Sequence, residues 1–497
     1  MFHVYKERLK LYLLAVLMAA SIVQVGILWS YQYHGFPISF LQGFLRIRIN
    51  MDTSSSKARE NYLKPYQIFI TDGEGYNFPD YYIVDAKNNN YDKLWKGAQA
   101  CLEYVLREKK GEQVDTEEWY DLVDRKEDRS EKIFSRMGLA AVFAFRGNID
   151  SNLVTWFLNI SNTLAPDIGG IYKFAIAPEF DANYNSALYI LEKDFSSGIE
   201  KVYRFIIEHG ETKLINNLDL RTIYKSVSVE GSKNSFSAAG SLGNLGVPND
   251  QLIVIPQRQF RRFDTLVCQV PKTLQIEGIK TLTERNRLGS KILGPDADTC
   301  DSIDIISGIK FQNANNIYHM YDNGLFAYEY KSLMPDNDRG YIDNAFVNAL
   351  EFMHLRIDIL TEPVDVYLSG VEILPGFYRF MFDYKVDGIP VIFNYEEEGK
   401  EPVNNAIIIE ADEKRVLKAS WIFKDFEVAT GEKFYNVSFT DNQDRLHSAY
   451  SQLADAVIGD LLIAYEVREN SDNQELHPSW IVINQDRDYY MVPLVKK

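Results

Sequence analysis

The chain has 497 residues, 46% hydrophobic and 25% charged, which excludes a largely disordered chain, a collagen or a pure coiled coil and suggests about three domains. Lys and Arg total 53 against 70 Asp and Glu, a net charge of −17, so the chain lacks the basic excess with which nucleic-acid binders neutralise phosphates. Three cysteines, Cys101, Cys268 and Cys300, are too few for a disulfide framework.

In chain order, the first element is the strongest. Leu11 to Tyr31 is 21 residues without a charge, about 30 Å as a helix, the thickness of a bilayer's hydrocarbon core. Trp29, Tyr31 and Tyr33 at its far end read as an interfacial belt, and Lys6, Arg8 and Lys10 precede the run against one acid, Glu7. The positive-inside rule then places the N-terminus in the cytoplasm and the bulk outside. A cleaved signal peptide is the competing reading, with Ala19-Ala20-Ser21 as the site. The apolar run continues well past those residues, which favours an uncleaved, single-pass anchor. Within it, Ala15, Ala19, Ile22, Gly26 and Ser30 fall on a stripe about 80° wide at 100° per residue. Small residues let helix backbones approach closely in lipid, so this stripe is a candidate contact for a partner helix. Gln24 points roughly opposite and could hydrogen-bond to a second partner.

Gly35 to Ile49 reads either as an amphipathic segment on the outer membrane surface or as a helix packed on the first domain. Asp52 to Lys57, with Ser54, Ser55 and Ser56, reads as a linker. Short β runs follow at Tyr66–Thr71 and Tyr81–Asp85, then a helix from Asp92 to Lys109. Leu94, Ala98, Cys101, Leu102 and Val105 share one face of it, which makes Cys101 a core side chain rather than a nucleophile. Asp115 and Glu118 read as a capping box for a short helix through Trp119 and Leu122. Leu139–Phe145 is a buried strand and Ser151–Asn162 an amphipathic helix. Strands come next at Ile171–Ala177, Ala187–Glu192 and Lys201–Glu208. Residues 226–250, rich in Gly and Ser, read as a flexible interdomain loop.

Farther on, Asn323-Gly324 between two alternating runs predicts a hairpin of Ile317–Tyr321 with Leu325–Tyr330. The last third repeats an order. A helix face of Ile342, Ala345, Phe346, Ala349, Leu350 and Met353 precedes a strand at Leu368–Ile373 and a hairpin over Tyr378–Phe393. A second face of Leu446, Ala449, Tyr450, Leu453, Ala456 and Val457 precedes Leu462–Val467 and a hairpin over Ser479–Leu494. Glu372 and Glu466 stand at matching places, and strands at Ala406–Ala411 and Arg415–Phe423 lie between the copies. The expected fold is α+β: one N-terminal transmembrane helix, then a multi-domain extracytoplasmic region of helices packed on antiparallel sheets, with two similar helix–strand–hairpin units at the C-terminal end. The expected divisions are a cytoplasmic tail (1–10), the transmembrane helix (11–31), a juxtamembrane segment and linker (32–62), an N-terminal α+β domain (63–235), a middle domain (236–337) and a C-terminal α+β domain (338–497).

No constellation of catalytic residues emerges. The seven histidines never stand at i,i+3 or i,i+4, so a helical zinc site lacks support. There is no G-x-S-x-G, H-E-x-x-H, Cys-x-x-Cys or phosphate-binding glycine loop. Cys300 lies among Asp296, Asp298 and Asp301, which disfavours a thiolate. Asp181, Asn183, Asn185 and Glu192 match a calcium loop at positions 1, 3, 5 and 12, but position 6 is Ser186 and the flanks are strand-like, so a polar turn is the better reading. Glu396-Glu397-Glu398 reads as solvated loop. No catalytic residue, cofactor, metal or small-molecule substrate is predicted.

Three places resemble the YycH/YycI family of Gram-positive bacteria: the anchor from Lys10 to Trp29, Glu118-Trp119 leading to Leu139–Phe145 and the helix near Ile149–Leu158, and Leu462–Val467 with Pro478-Ser479-Trp480. The resemblance is diffuse and spans most of the chain, with residues 226–300 fitting least. It implies a membrane-anchored, non-enzymatic accessory regulator of the WalK sensor histidine kinase in a two-component system that controls the cell wall. Its implied partners are a WalK-like kinase and a YycI-like sister protein, met through the membrane helices. The competing class is an anchored extracytoplasmic cell-wall hydrolase or wall-binding module, which would need a cleft of paired carboxylates or a stripe of exposed Trp and Tyr.

Overall fold

A computed structural model describes residues 62–497 apart from 72–80, 85–87, 124–139, 161–167, 179–184, 195–196, 209–216, 231–234, 239–253, 257–258, 277–280, 332–338, 362–363, 396–403, 450–457, 470–471 and 485–488. The elements run β1 (Gln67–Thr71), β2 (Tyr81–Val84), α1 (Tyr91–Glu108), β3 (Glu112–Val114), α2 (Thr116–Val123), β4 (Ala140–Asp150), α3 (Ser151–Phe157), β5 (Gly170–Pro178), β6 (Ser186–Lys193), β7 (Glu200–Ile207), α4 (Asn217–Glu230), β8 (Ser235–Ala238) and β9 (Val254–Pro256). Then come β10 (Phe260–Gln269), α5 (Leu282–Ile292), β11 (Asp301–Ile305), β12 (Gly308–Gln312), β13 (Asn316–Tyr321), β14 (Leu325–Tyr330), α6 (Ile342–His354), β15 (Asp365–Leu374), β16 (Phe377–Val386) and β17 (Ile389–Asn394). The last are β18 (Ile407–Ala411), β19 (Val416–Ile422), β20 (Asp425–Asn436), α7 (Phe439–Ala449), β21 (Ile458–Arg468), β22 (Glu475–Leu476), β23 (Pro478–Asn484), β24 (Tyr489–Pro493) and β25 (Val495–Lys496).

These strands make three sheets among the described residues, so the fold is α+β with strands dominant. The first is nine-stranded, in the order β3-β7-β6-β5-β4-β1-β2-β8-β9. Its centre explains why Leu139–Phe145 reads as one apolar run: β4 is covered on both faces. Phe143 and Phe145 meet Trp95 of α1, while Val142 and Ala144 share a cluster with Trp119 of α2. The apolar face of α1 is buried as its spacing predicts, Cys101 included. Asp115 takes the N–H of Glu117 at 3.0 Å, and the Glu118 N–H bonds to the Asp115 carbonyl.

The second sheet is four-stranded, β22-β10-β20-β25. The third runs β11-β12-β13-β14-β19-β18-β16-β17-β21-β23-β24, with β15 pairing with β16 off this path. The β13–β14 hairpin forms where Asn323-Gly324 predicts, with Gly324 at φ +87°, a left-handed conformation natural to glycine. Helix, strand and hairpin do occur twice in order, as α6, β15, β16–β17 and α7, β21, β23–β24. Glu372 pairs across the ladder with Arg379 at 2.9 Å. Glu466 bonds instead to Arg468 on its own strand at 2.8 Å.

Several expectations need correction. The sheets are not wholly antiparallel, because β17 and β21 pair in parallel, from Val391 with Tyr465 to Asn394 with Arg468. The long connection through β18, β19, β20 and α7 supplies the crossover that a parallel pair requires. The helix after β4 ends at Phe157, and Asn159 follows at φ 56°. Residues 226–230 continue α4, with Leu220, Ile223 and Val227 buried. The second helix starts at Phe439, and the rest of its expected face, residues 450–457, lies outside the described residues. The same holds for the expected anchor and linker over 1–61. Among the described residues no helix is long and apolar enough to cross a membrane.

Candidate functional site

The most distinctive chemistry lies where the first and third sheets meet. β4 leaves its regular register between Ala144 and Ile149, and this irregular stretch carries Arg146 and Gly147. A Cβ built on Gly147 would lie 2.7 Å from the Ser369 carbonyl oxygen and 3.1 Å from the Gly370 Cα. The backbones of β4 and β15 therefore touch without intervening side chains. Beside the contact, the Arg146 guanidinium stands 3.6 Å from the Asp383 carboxylate, with side-chain exposures of 10% and 1%. It also donates to Tyr367 Oη at 3.3 Å. Asp383 further accepts from Asn405 Nδ2 and from the Ala406 N–H. A carboxylate this buried is tolerated because a cation and N–H donors surround it.

Helices reinforce the seam. Asp150 caps α3 through the N–H groups of Asn152 and Leu153. This aims Trp156 and Phe157 at Phe346 of α6, with ring centroids 5.9 and 5.4 Å away. Phe346 in turn meets Phe380 and Phe382 of β16. Lys173 of β5 is buried with its ammonium 4.8 Å from the Tyr172 ring centre. Burial pushes its pKa down to about 8, partly offset by Asp460 of β21.

Toward the first described residues the seam opens into a cavity of about 330 Å³. Tyr62, Tyr66, Tyr91, Tyr367 and Trp480 supply its aromatic wall; Lys64, Arg261 and Lys385 line it with Asp365 and Asp387. Lys385 is fixed there, donating to the Tyr66 carbonyl at 2.6 Å with its ammonium 4.6 and 4.8 Å from the Tyr66 and Tyr367 ring centres. Burial, then the neighbouring Tyr367, holds the Tyr66 phenol well above the usual tyrosine range.

No known family model and no curated protein matches the sequence. A solved structure does match: the crystal structure of YycH from Bacillus subtilis aligns with a TM-score of 0.51 at 12% identity, over 88% of this chain and 96% of that one. The chain has the YycH fold. The likeness read from the sequence is thus met at the level of fold.

Every residue that the sequence singles out as a partner contact, Ala15, Ala19, Ile22, Gln24, Gly26 and Ser30, lies outside the described residues. So do Asp181 and Asn183 of the calcium-like string and Glu396 to Glu398. Among the described residues no group of three His, Cys, Asp or Glu stands close enough to hold a metal. Cys101 and Cys268 are buried and Cys300 half-buried, all as thiols rather than disulfides. Burial first, then Asp296, pushes the Cys300 thiol up to about 11, away from the thiolate. His354 is exposed at the end of α6. The sequence does not announce the seam: Arg146 and Asp383 are far apart along the chain, and only the break in the apolar run at Arg146-Gly147 hints at it.

Proposed function

We propose that this protein is a membrane-anchored, non-enzymatic accessory regulator of a WalK-like sensor histidine kinase, acting beside a YycI-like sister protein in a system that controls the cell wall. The observation that carries this reading is the YycH fold across 88% of the chain and 96% of its counterpart. In this reading Leu11–Tyr31 is an uncleaved anchor with the N-terminus in the cytoplasm. The stripe of Ala15, Ala19, Ile22, Gly26 and Ser30 packs on a partner helix, and Gln24 meets a second. The extracytoplasmic sheets pass their state to the anchor through the linker that precedes Tyr62. We also read α6 to β17 and α7 to β24 as copies of one ancestral unit.

The described tryptophans do not favour a wall-binding or wall-cleaving protein. Trp95, Trp119, Trp421 and Trp480 are buried, and Trp156 packs on Phe157 and Phe346, so they form no exposed stripe for stacking on a glycan. The test is Gly26→Leu in the full-length protein, with kinase co-purification and kinase-dependent reporter output measured together. Loss of co-purification with altered output supports the reading. If both are unchanged, and Gln24→Leu is also silent, the anchor is only a tether.

A further inference from the structure

The cavity at the open end of the seam is large enough for a ligand. Its volume of about 330 Å³ falls at the lower end of the roughly 300–1,000 Å³ of ordinary ligand pockets. Its wall is mixed in the manner of such pockets, with apolar and aromatic side chains and a few polar groups. In a chain of net charge −17, this wall carries more cations than carboxylates: Lys64, Arg261 and Lys385 against Asp365 and Asp387. Lys385 is held in place by the Tyr66 carbonyl and lies beside two rings.

A second observation concerns hydrogen bonds. Tyr66 Oη and Trp480 Nε1, on two residues of the wall, are buried with no hydrogen-bond partner among the described residues. Buried polar atoms are rarely left so. The indole can only donate and the phenol can donate or accept, so each is a polar group of the wall left without a protein partner among the described residues.

We propose that this cavity binds a small amphipathic anion, an aromatic or aliphatic body bearing one anionic head group. The apolar walls take the body, and the excess of cations selects the charge. The site borders both sheets and uses none of the anchor residues, so its test is separate from that of the kinase contact.

The probe is 4-phenylbutyrate, titrated calorimetrically into full-length protein in a neutral detergent, with 4-phenylbutanol and 4-phenylbutylamine as neutral and cationic counterparts. The carboxylate is expected to bind more tightly than the alcohol, and the amine more weakly than either. Lys64→Glu should weaken the carboxylate by about tenfold, the value of one charge-assisted contact. Val366→Trp, which fills the cavity, should abolish binding. If Val366→Trp does not fold, Lys64→Glu decides alone, since it alters charge rather than packing. The proposal is overturned if the carboxylate does not bind at millimolar concentration, if the amine binds as tightly, or if Lys64→Glu leaves its affinity unchanged.

Discussion

The two ends of the seam between the first and third sheets solve the same packing problem in opposite ways. At one end Gly147 lets two backbones touch, and a buried Arg146–Asp383 pair sits beside the contact. At the other, large rings and a lysine hold the sheets apart around a cavity. A closed end resists change of any size, because neither backbone nor a buried charge can move aside cheaply. The open end has room to accept a ligand. The closed end is therefore the tightly packed part of the seam and the open end the part with room for a ligand.

The largest effect should come from Arg146→Met, which leaves Asp383 buried without its cation. Breaking such a pair from one side costs about 3–5 kcal/mol, and thermal unfolding of the protein should show it. Arg146→Met combined with Asp383→Leu should recover much of the loss, and absence of recovery would show that the pair does not hold this end.

Lys173 provides an effect of similar size and opposite sign. Its folded-state pKa lies near 8 against an ordinary value of 10.5. Below pH 8 the folded protein must carry a desolvated ammonium. Between pH 8 and 10.5 the unfolded chain holds the proton more often than the folded one, so stability rises with pH. The full rise is about 3 kcal/mol by the usual conversion. Tyrosines with raised pKa, such as Tyr66, act in the opposite direction above their ordinary value of about 10, so the clean window is pH 8 to 10. Lys173→Met should stabilise the protein at pH 7 and flatten that rise, as urea unfolding at several pH values would report.

Gly147→Ala should cost about 1–3 kcal/mol, the ordinary penalty of overpacking, because its new methyl meets backbone on β15. A tolerated alanine would mean that the closed end is not tight. The smallest effect belongs away from the seam. Thr281 caps α5 in a reciprocal box with Glu284, and Thr281→Ala should cost about 1 kcal/mol without altering ligand binding at the open end.

Local chemistry is legible in the sequence wherever one segment carries its own signal. The face of α1, the double-sided burial of β4 and the Asn323-Gly324 turn depend on neighbours within a few residues. The end of α4 reads as loop because Ser226 and Ser228 dominate it, although Leu220, Ile223 and Val227 are spaced as a helical face. α5 escapes a reading by hydrophobic periodicity, although Thr281-x-x-Glu284 is a capping-box pattern. The parallel pairing of β17 with β21 and the Arg146–Asp383 contact have no local signature. Each joins residues separated by whole elements, and no spacing marks the partner.

The most direct test of the central claim is kinase autophosphorylation in proteoliposomes containing a WalK-like kinase, with and without the full-length protein inserted N-terminus inward. The account predicts that the protein changes the autophosphorylation rate, and that replacing residues 11–31 with an unrelated membrane helix removes the change. An identical rate at saturating protein, with insertion verified by protease protection, would contradict it.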